Sequence, residues 1–382
     1  MTRALAFLRP PEARSILGIW AGWSLFVAVL ASAAMALPAT TSNSWIAYAD
    51  APPLARWDSV WYRSIAVGGY HYDSSVPQNN VGFYPLYAIL AGAVARWLHT
   101  PLLATGIVLS ILCLGAALLL IGDLFAEWGG AGSGTLGAAA LLLYPTAFFL
   151  ACFYTESLFL LCAAASLWGA RRRRWIVAGL AAAAACLTRF NGFLLVPALA
   201  WSAVTARRGD GERSGPGPAL AIALALAGAA AYPLYLWRRW GDPLLYVHSK
   251  TQGWAQDPAP VWVLARRTYA QLALYLRGPG VGGKLMFLTE IVSILLFLVL
   301  TAALFRQGLV PEGIWTGSTL LLLLWSGTLD GVHRYVVVLF PCFLPLARFL
   351  RTRPALAFAY AFLGAGIGMT FLHRFVHWIH VG

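Results

Sequence analysis

Apolar runs long enough to cross a lipid bilayer follow one another along this chain, and most begin or end at a basic residue. A spanning helix needs about 20 mostly apolar residues, so a chain of this length has room for roughly ten or eleven. Composition agrees. Hydrophobic residues make up 60% of the 382 and charged residues 11%, against about 25% charged in an average soluble domain. Mean hydropathy is +0.71. These values exclude a soluble globular enzyme, a disordered chain and a secreted disulfide scaffold. They predict an all-α polytopic membrane protein. The five cysteines lie in or beside apolar runs without a CxxC pair, which reads as buried, inert thiols.

The runs can be threaded through a membrane by charge. Arg3, Arg9 and Arg14 precede an apolar stretch from Ser15 to Leu37. A signal peptide has an apolar core of only about 7–15 residues, so this stretch is expected to be an uncleaved first helix with its basic end in the cytoplasm. Residues 38–100 then form an outer loop. Within it, Phe83–Leu98 is apolar but short and carries Arg96, which predicts an interfacial or partly inserted helix. If it spanned, every later helix would invert and Arg171–Arg174 would face outward.

Further spans are expected at 101–122, 133–150, 155–170, 219–237, 284–305, 311–328, 332–350 and 354–373. Residues 175–204 would measure about 45 Å as one helix, too long for a hydrocarbon core of about 30 Å. They are interrupted by Thr188-Arg189-Phe190-Asn191-Gly192 and are expected to form two shorter helices. The total is about eleven spans in one integral membrane domain, 1–382, with a second outer loop at 238–283. No internal repeat of the transporter kind is evident.

The net charge of +13 has no soluble, aromatic-interleaved basic patch that would suit nucleic acid. Seven cations, including Lys250 and Lys284, fall between 238 and 284 on the outer side. An anionic lipid or substrate headgroup at that face would account for them.

Few residues can carry chemistry. Asp58 lies in Leu54-Ala55-Arg56-Trp57-Asp58-Ser59-Val60-Trp61-Tyr62-Arg63, an aromatic and apolar setting that favours a partly desolvated carboxylate, an effect Arg56 and Arg63 oppose. It reads as a general base, a structural ion pair or a helix cap. Glu156 follows Tyr154-Thr155, as a helix-start carboxylate or a contact to sugar or to a working arginine. Arg189 and Asn191 interrupt an apolar stretch. Arg189 either snorkels to the interface or binds a lipid phosphate by paired hydrogen bonds. Arg334 either pairs with Asp330, four residues earlier, or meets a phosphate. His373, His377 and His380 share a helix face, as an interfacial polar stripe or a metal site without an acidic partner.

Four stretches together resemble one family. They are Arg56-Trp57-Asp58-Ser59 through Tyr62, Ile65-Ala66 and Gly69-Tyr70 to Phe83-Tyr84-Pro85-Leu86-Tyr87; Phe153 to Phe159; Thr188 to Gly192; and Gly241-Asp242-Pro243 through His248 and Trp254 to Arg334-Tyr335 and Val338-Leu339-Phe340-Pro341. In this order they resemble the PIG-V-like family, bacterial relatives of GPI mannosyltransferase II in the GT-C class of membrane glycosyltransferases.

That resemblance implies a GT-C-like fold and an inverting sugar transfer at the outer face. Its implied donor is a polyprenyl-phosphate sugar, usually mannose, with Asp58 as base and a lipid or glycan as acceptor. It makes Arg56, Trp57, Tyr84, Glu156 and Arg189 candidate substrate contacts. Asn191, His248, Lys250, His333 and Arg334 are the others. No metal or other cofactor is expected, because arginines can stabilise a departing phosphate. Outer loops shorter than those of eukaryotic members leave the acceptor open. An Ala/Arg-rich composition suggests a bacterial source, and together with the resemblance this implies an inner-membrane location with the site facing outward. The rival expectations are a transporter or flippase of a lipid-linked sugar, and a non-catalytic subunit of a glycan-assembly complex.

Overall fold

Every regular element among the described residues is a helix. The computed structural model describes residues 10–37, 51–210, 215–254, 256–277 and 281–381. The expected basic start (Arg3, Arg9) and the first part of the outer loop (38–50) lie outside them.

Five helices are long and apolar enough to cross a membrane. They are α1 (Pro10–Met35), α4 (Leu102–Gly129), α9 (Gly217–Trp240), α12 (Val281–Arg306) and α16 (Pro354–Val376). The chain is therefore an all-helical integral membrane protein. Between them lie α2 (Ser59–Gly68), α3 (Pro85–Leu98), α5 (Ser133–Leu142), α6 (Glu156–Arg171), α7 (Trp175–Thr188) and α8 (Leu195–Asp210). The later short elements are α10 (Leu245–Trp254), α11 (Val261–Arg277), α13 (Val310–Trp325), α14 (Val332–Tyr335) and α15 (Phe343–Arg351).

The break expected in 175–204 is present. Arg189 is extended at φ −152°, and the chain turns back so closely that a Cβ on Gly192 would sit 2.4 Å from the Ala185 carbonyl carbon. Only glycine fits there. Within the expected outer loop 238–283 lie the helices α10 and α11.

Two expected spans are not single helices. The run 133–150 stops at Leu142 and resumes as a 3-10 turn, Ala147–Ala151, because Pro145 cannot donate to the helix ladder. The run 332–350 is bent by 82° between Val332–Val338 and Phe340–Arg351, where Pro341 interrupts it. Counting that pair as one span brings the membrane-length total among the described residues to six, not eleven. An apolar run on its own does not distinguish a spanning helix from broken backbone enclosed by protein.

The core runs along α4, whose Leu114, Ala117, Leu118, Ile121, Leu124 and Phe125 are fully buried. At one end, Asp123 accepts from Trp168 Nε1 and from Arg172, each at 2.7 Å, and Glu127 meets Arg171 at 3.0 Å. These two acids thus neutralise part of the four-arginine run Arg171–Arg174. The α7–α9 contact is made by small residues, which let the backbones approach closely. A Cβ on Gly179 would lie 2.7 Å from Ala221 Cα, and one on Gly228 would lie 2.5 Å from Ala183 Cα. Gly228→Ala is expected to destabilise the protein by about 1–3 kcal/mol, the usual cost of overpacking. Gly22→Ala on α1, where a Cβ meets nothing within 4 Å, should leave stability unchanged or slightly raised. Thermal unfolding in detergent would distinguish the two, and equal melting temperatures would contradict the close contact.

Candidate functional site

Asp58 is placed by two segments zipped together. Phe153 N–H donates to Leu54 O at 2.9 Å and Ser59 Oγ donates to Phe153 O at 3.2 Å. Tyr154 Oη accepts the Asp58 N–H and donates to Arg56 O, both at 3.1 Å. Asp58 precedes the first turn of α2, but its side chain does not cap the helix. It turns to Arg334 instead, with Oδ2 2.9 Å from Nη1.

Arg334 is part of a buried charge chain. Its Nε donates to Glu156 Oε1 at 2.7 Å, and Arg189 Nη1 lies 2.9 Å from the same oxygen. Glu156 is wholly buried at the first position of α6. Removing four charges from water is tolerable only when they neutralise one another and are hydrogen-bonded. The guanidinium of Arg334 also lies 4.5 Å from the Tyr154 ring and 5.0 Å from that of Phe149, a cation–π setting. Arg334 therefore does not pair with Asp330. α14 is a single turn that follows Gly331 at φ +76°, so the four-residue helix rule has no helix to act through. Asp330 Oδ1 lies 2.9 Å from His380 Nε2 instead.

These groups open onto a cleft of about 1150 Å³, its mouth included. Asp58, Tyr84, Arg189, Asn191, Lys250 and Arg334 line it, and Glu156 lies beneath Arg189 and Arg334. Lys250 rests on aromatic rings, its Nζ 4.1 Å from the Phe83 ring and 4.3 Å from the Trp254 ring. Among the described residues no carboxylate forms an ion pair with it. Burial pushes its ammonium down to about 8. Tyr62, Phe190, Tyr246, Gln256 and Asp330 are among the other polar and aromatic residues of the lining, while Leu322, Leu323 and Trp325 of α13 form an apolar side. Sequence reasoning passed over Tyr246 and Gln256, although both flank the flagged segment of the second outer loop. The α13 wall carries no motif and becomes visible only in three dimensions.

Four expected contacts lie elsewhere. Arg56 is buried, donating to Val376 O at 3.1 Å and to Ala51 O at 2.8 Å. Trp57 packs on Trp378 and His380. His248 is exposed and bonds Asp242 at 2.7 Å. His333 points away from the cleft to Val381 O, 2.7 Å from its Nε2. The stripe His373, His377 and His380 is divided among protein partners: His377 Nε2 contacts Ala34 O at 3.0 Å, and the His373 ring lies beside that of His377. Among the described residues there is no group of three or more metal-ligating side chains.

No protein-family model matches the sequence, and a search of curated proteins finds no match. Among solved structures, the chain is similar to two of the Archaeoglobus fulgidus oligosaccharyltransferase. One, tethered with an acceptor peptide, superposes with a TM-score of 0.44 at 14% identity, over 95% of this chain and 55% of that one. The other, in complex with Zn and sulfate, gives a TM-score of 0.45 at 14% identity, over 94% and 53%. This chain thus spans about half the length of that enzyme. A likeness of that size transfers neither activity nor ligands.

Proposed function

We propose that this protein is a GT-C-type membrane glycosyltransferase that moves a sugar, mannose in the first instance, from a polyprenyl-phosphate donor to a lipid or glycan hydroxyl. The carrying observation is the Asp58 carboxylate held 2.9 Å from Arg334 in a cleft that also presents Arg189 and Lys250. The motif resemblance supports the family and the sugar. In this reading the site belongs at the outer face of a bacterial inner membrane.

Asp58 takes the proton of the acceptor hydroxyl. The oxygen attacks the anomeric carbon from the face opposite the phosphate, the carbon–oxygen bond to phosphate breaks, and configuration inverts. Negative charge grows on the departing phosphate. Arg189, Arg334 and Lys250 carry three positive charges against two on Asp58 and Glu156, and the third carboxylate of the lining, Asp330, is paired with His380, leaving one in excess to meet it. Fixed cations at that point act on the transition state more than on the bound donor. The apolar α13 side accommodates the start of the lipid tail.

The test is transfer by purified protein from a short-chain polyprenyl-phosphate mannose to a lipid-extract acceptor. Release of polyprenyl phosphate together with a mannosylated product supports the reading. Movement of lipid-linked sugar without bond formation would replace it with the transporter. Inactivity with a stable copurifying enzyme would replace it with the accessory subunit.

Lys250 makes a pH prediction. Its ammonium loses charge as pH rises through about 8, so the attraction for a donor phosphate is present below that value and lost above it. We expect kcat/KM for the donor, which reports the free enzyme, to fall on an alkaline limb near there. Lys250→Arg should shift this limb out of range. Lys250→Met should lower kcat/KM at neutral pH by roughly tenfold or more, the scale of one charge-assisted hydrogen bond. An unchanged limb in Lys250→Arg would remove Lys250 from donor binding.

A further inference from the structure

Asp330 of the cleft lining and several residues behind it converge on one short segment, His377–Val381. On the Asp58 side, Arg56 donates to Val376 O at 3.1 Å and its guanidinium lies 5.3 Å from the Trp378 ring. The next residue, Trp57, holds a left-handed φ of +52°, and its ring lies 6.0 Å from that of Trp378 and 5.7 Å from that of His380. On the Arg334 side, Val381 O lies 2.7 Å from His333 Nε2, and His380 Nε2 lies 2.9 Å from Asp330 Oδ1. The segment itself is tied back to α16 by Arg374 Nη2, which donates to His380 O at 2.9 Å. Trp378 is also left-handed, at φ +58°. Two non-glycine residues held in that region, facing each other, need surrounding contacts to keep them there.

We propose that His377–Val381 is a clasp joining the two backbone segments that carry Asp58 and Arg334, with Trp378 and His380 as positioning residues for the transfer reaction. The proposal rests on the reading of Asp58 and Arg334 as the working pair. Asp58 stands one residue after Trp57, and Arg334 stands one residue after His333, so a shift of the clasp moves both groups of a 2.9 Å contact. Displacements of about 1 Å from a reacting geometry can cost about a hundredfold in rate.

The clasp is also sensitive to pH. His380 faces Asp330, with Asp58 and Arg374 the other charges that act on it, and Asp330 is in turn acted on by His333, Arg334 and Glu290. The hydrogen bond to Asp330 holds the His380 ring protonated above its ordinary range. A raised histidine value means the contribution is complete at acid pH and is lost as pH rises through the raised value.

The experiment compares full-length wild type with Trp378→Ala, His380→Ala and His380→Gln. Amide hydrogen exchange is the readout that needs no activity. Both alanine variants should exchange about tenfold or more faster in 51–58 and 328–335, with α4 and α6 unchanged, because local opening is set by local contacts. In transfer, His380→Ala should lose about tenfold or more in kcat, and His380→Gln, which keeps a hydrogen-bond donor, should recover most of it. The wild-type kcat profile should show an alkaline limb that His380→Gln lacks, while the Lys250 limb in kcat/KM persists. General loss of folded protein would scale the profile without deleting a limb. Unchanged exchange in both segments, or a retained kcat limb in His380→Gln, overturns the clasp. If wild type transfers no sugar, the functional reading has failed on its own, and exchange alone decides the clasp.

Discussion

Asp58→Asn is expected to lower kcat for sugar transfer by about 10²- to 10⁴-fold, the usual contribution of a positioned general base, while the protein remains folded. The asparagine side chain has the same shape, so its oxygen still accepts from Arg334. Arg334 also keeps its 2.7 Å bond to Glu156, so no guanidinium is stranded by the change. The Asp58 N–H to Tyr154 bond at 3.1 Å comes from the backbone and survives. Activity and stability are thereby separable at this position. The check is polyprenyl-phosphate release by wild type and variant side by side, with melting temperature and donor binding on the same preparations. Turnover within about twofold of wild type would remove Asp58 from the base role, given the size of effect expected. A variant that no longer binds donor would instead make Asp58 an organiser of the arginines.

Glu156→Ala is expected to act the other way, on the fold first. The wild-type carboxylate neutralises Arg334 at 2.7 Å and Arg189 at 2.9 Å, and it is 0% exposed. Deleting one partner of a buried ion pair typically costs about 3–5 kcal/mol because the remaining charge is left uncompensated. Here two guanidiniums lose their shared partner, and only Arg334 retains a second carboxylate, Asp58. Adding Arg189→Met to Glu156→Ala removes one stranded charge and should recover a good part of the loss, as contacting residues are not additive. Thermal unfolding of the two single variants and the double variant checks this. A Glu156→Ala protein within about 1 kcal/mol of wild type, against the several expected for a buried pair, would mean that the charge chain is not closed as described.

Much of this arrangement could be read in one dimension. The cost of a charge in an apolar setting marks Arg189, a helix-start position marks Glu156 and the spacing from Asp330 marks Arg334, and all three belong to one network. Asp58 was visible because it stands among tryptophans and tyrosines soon after a first apolar helix. The stretch from Thr188 to Gly192 was legible as a break because a 30-residue helix exceeds the bilayer core and because glycine follows two polar residues there. Partner choice was not legible. Arg334 bonds a carboxylate 178 residues away and leaves Asp330, its near neighbour, to His380. Sequence separation measures proximity only along a regular helix, and α14 is one turn long. Arg56, Trp57 and His333 were candidate substrate contacts through the family resemblance, and they adjoin Asp58 and Arg334 in sequence. Adjacent residues on a turn point in different directions, and these three point toward the His377–Val381 segment.

What the sequence determined by itself is the solvent and the element type. Its apolar runs must leave water, and backbone in lipid must satisfy its own hydrogen bonds, so the chain is helical and embedded. It also determined which few charges would have to find partners. The tertiary structure decided the rest. Pro145 and Pro341 divide runs that composition alone would carry straight through the bilayer. Packing of α6, α7 and α14 chooses which carboxylate meets which arginine, and leaves Lys250 facing the cleft on aromatic rings. Those outcomes depend on distances between segments far apart in the chain, and an ion pair is decided by distance and exclusion of water, neither of which a linear order of residues contains.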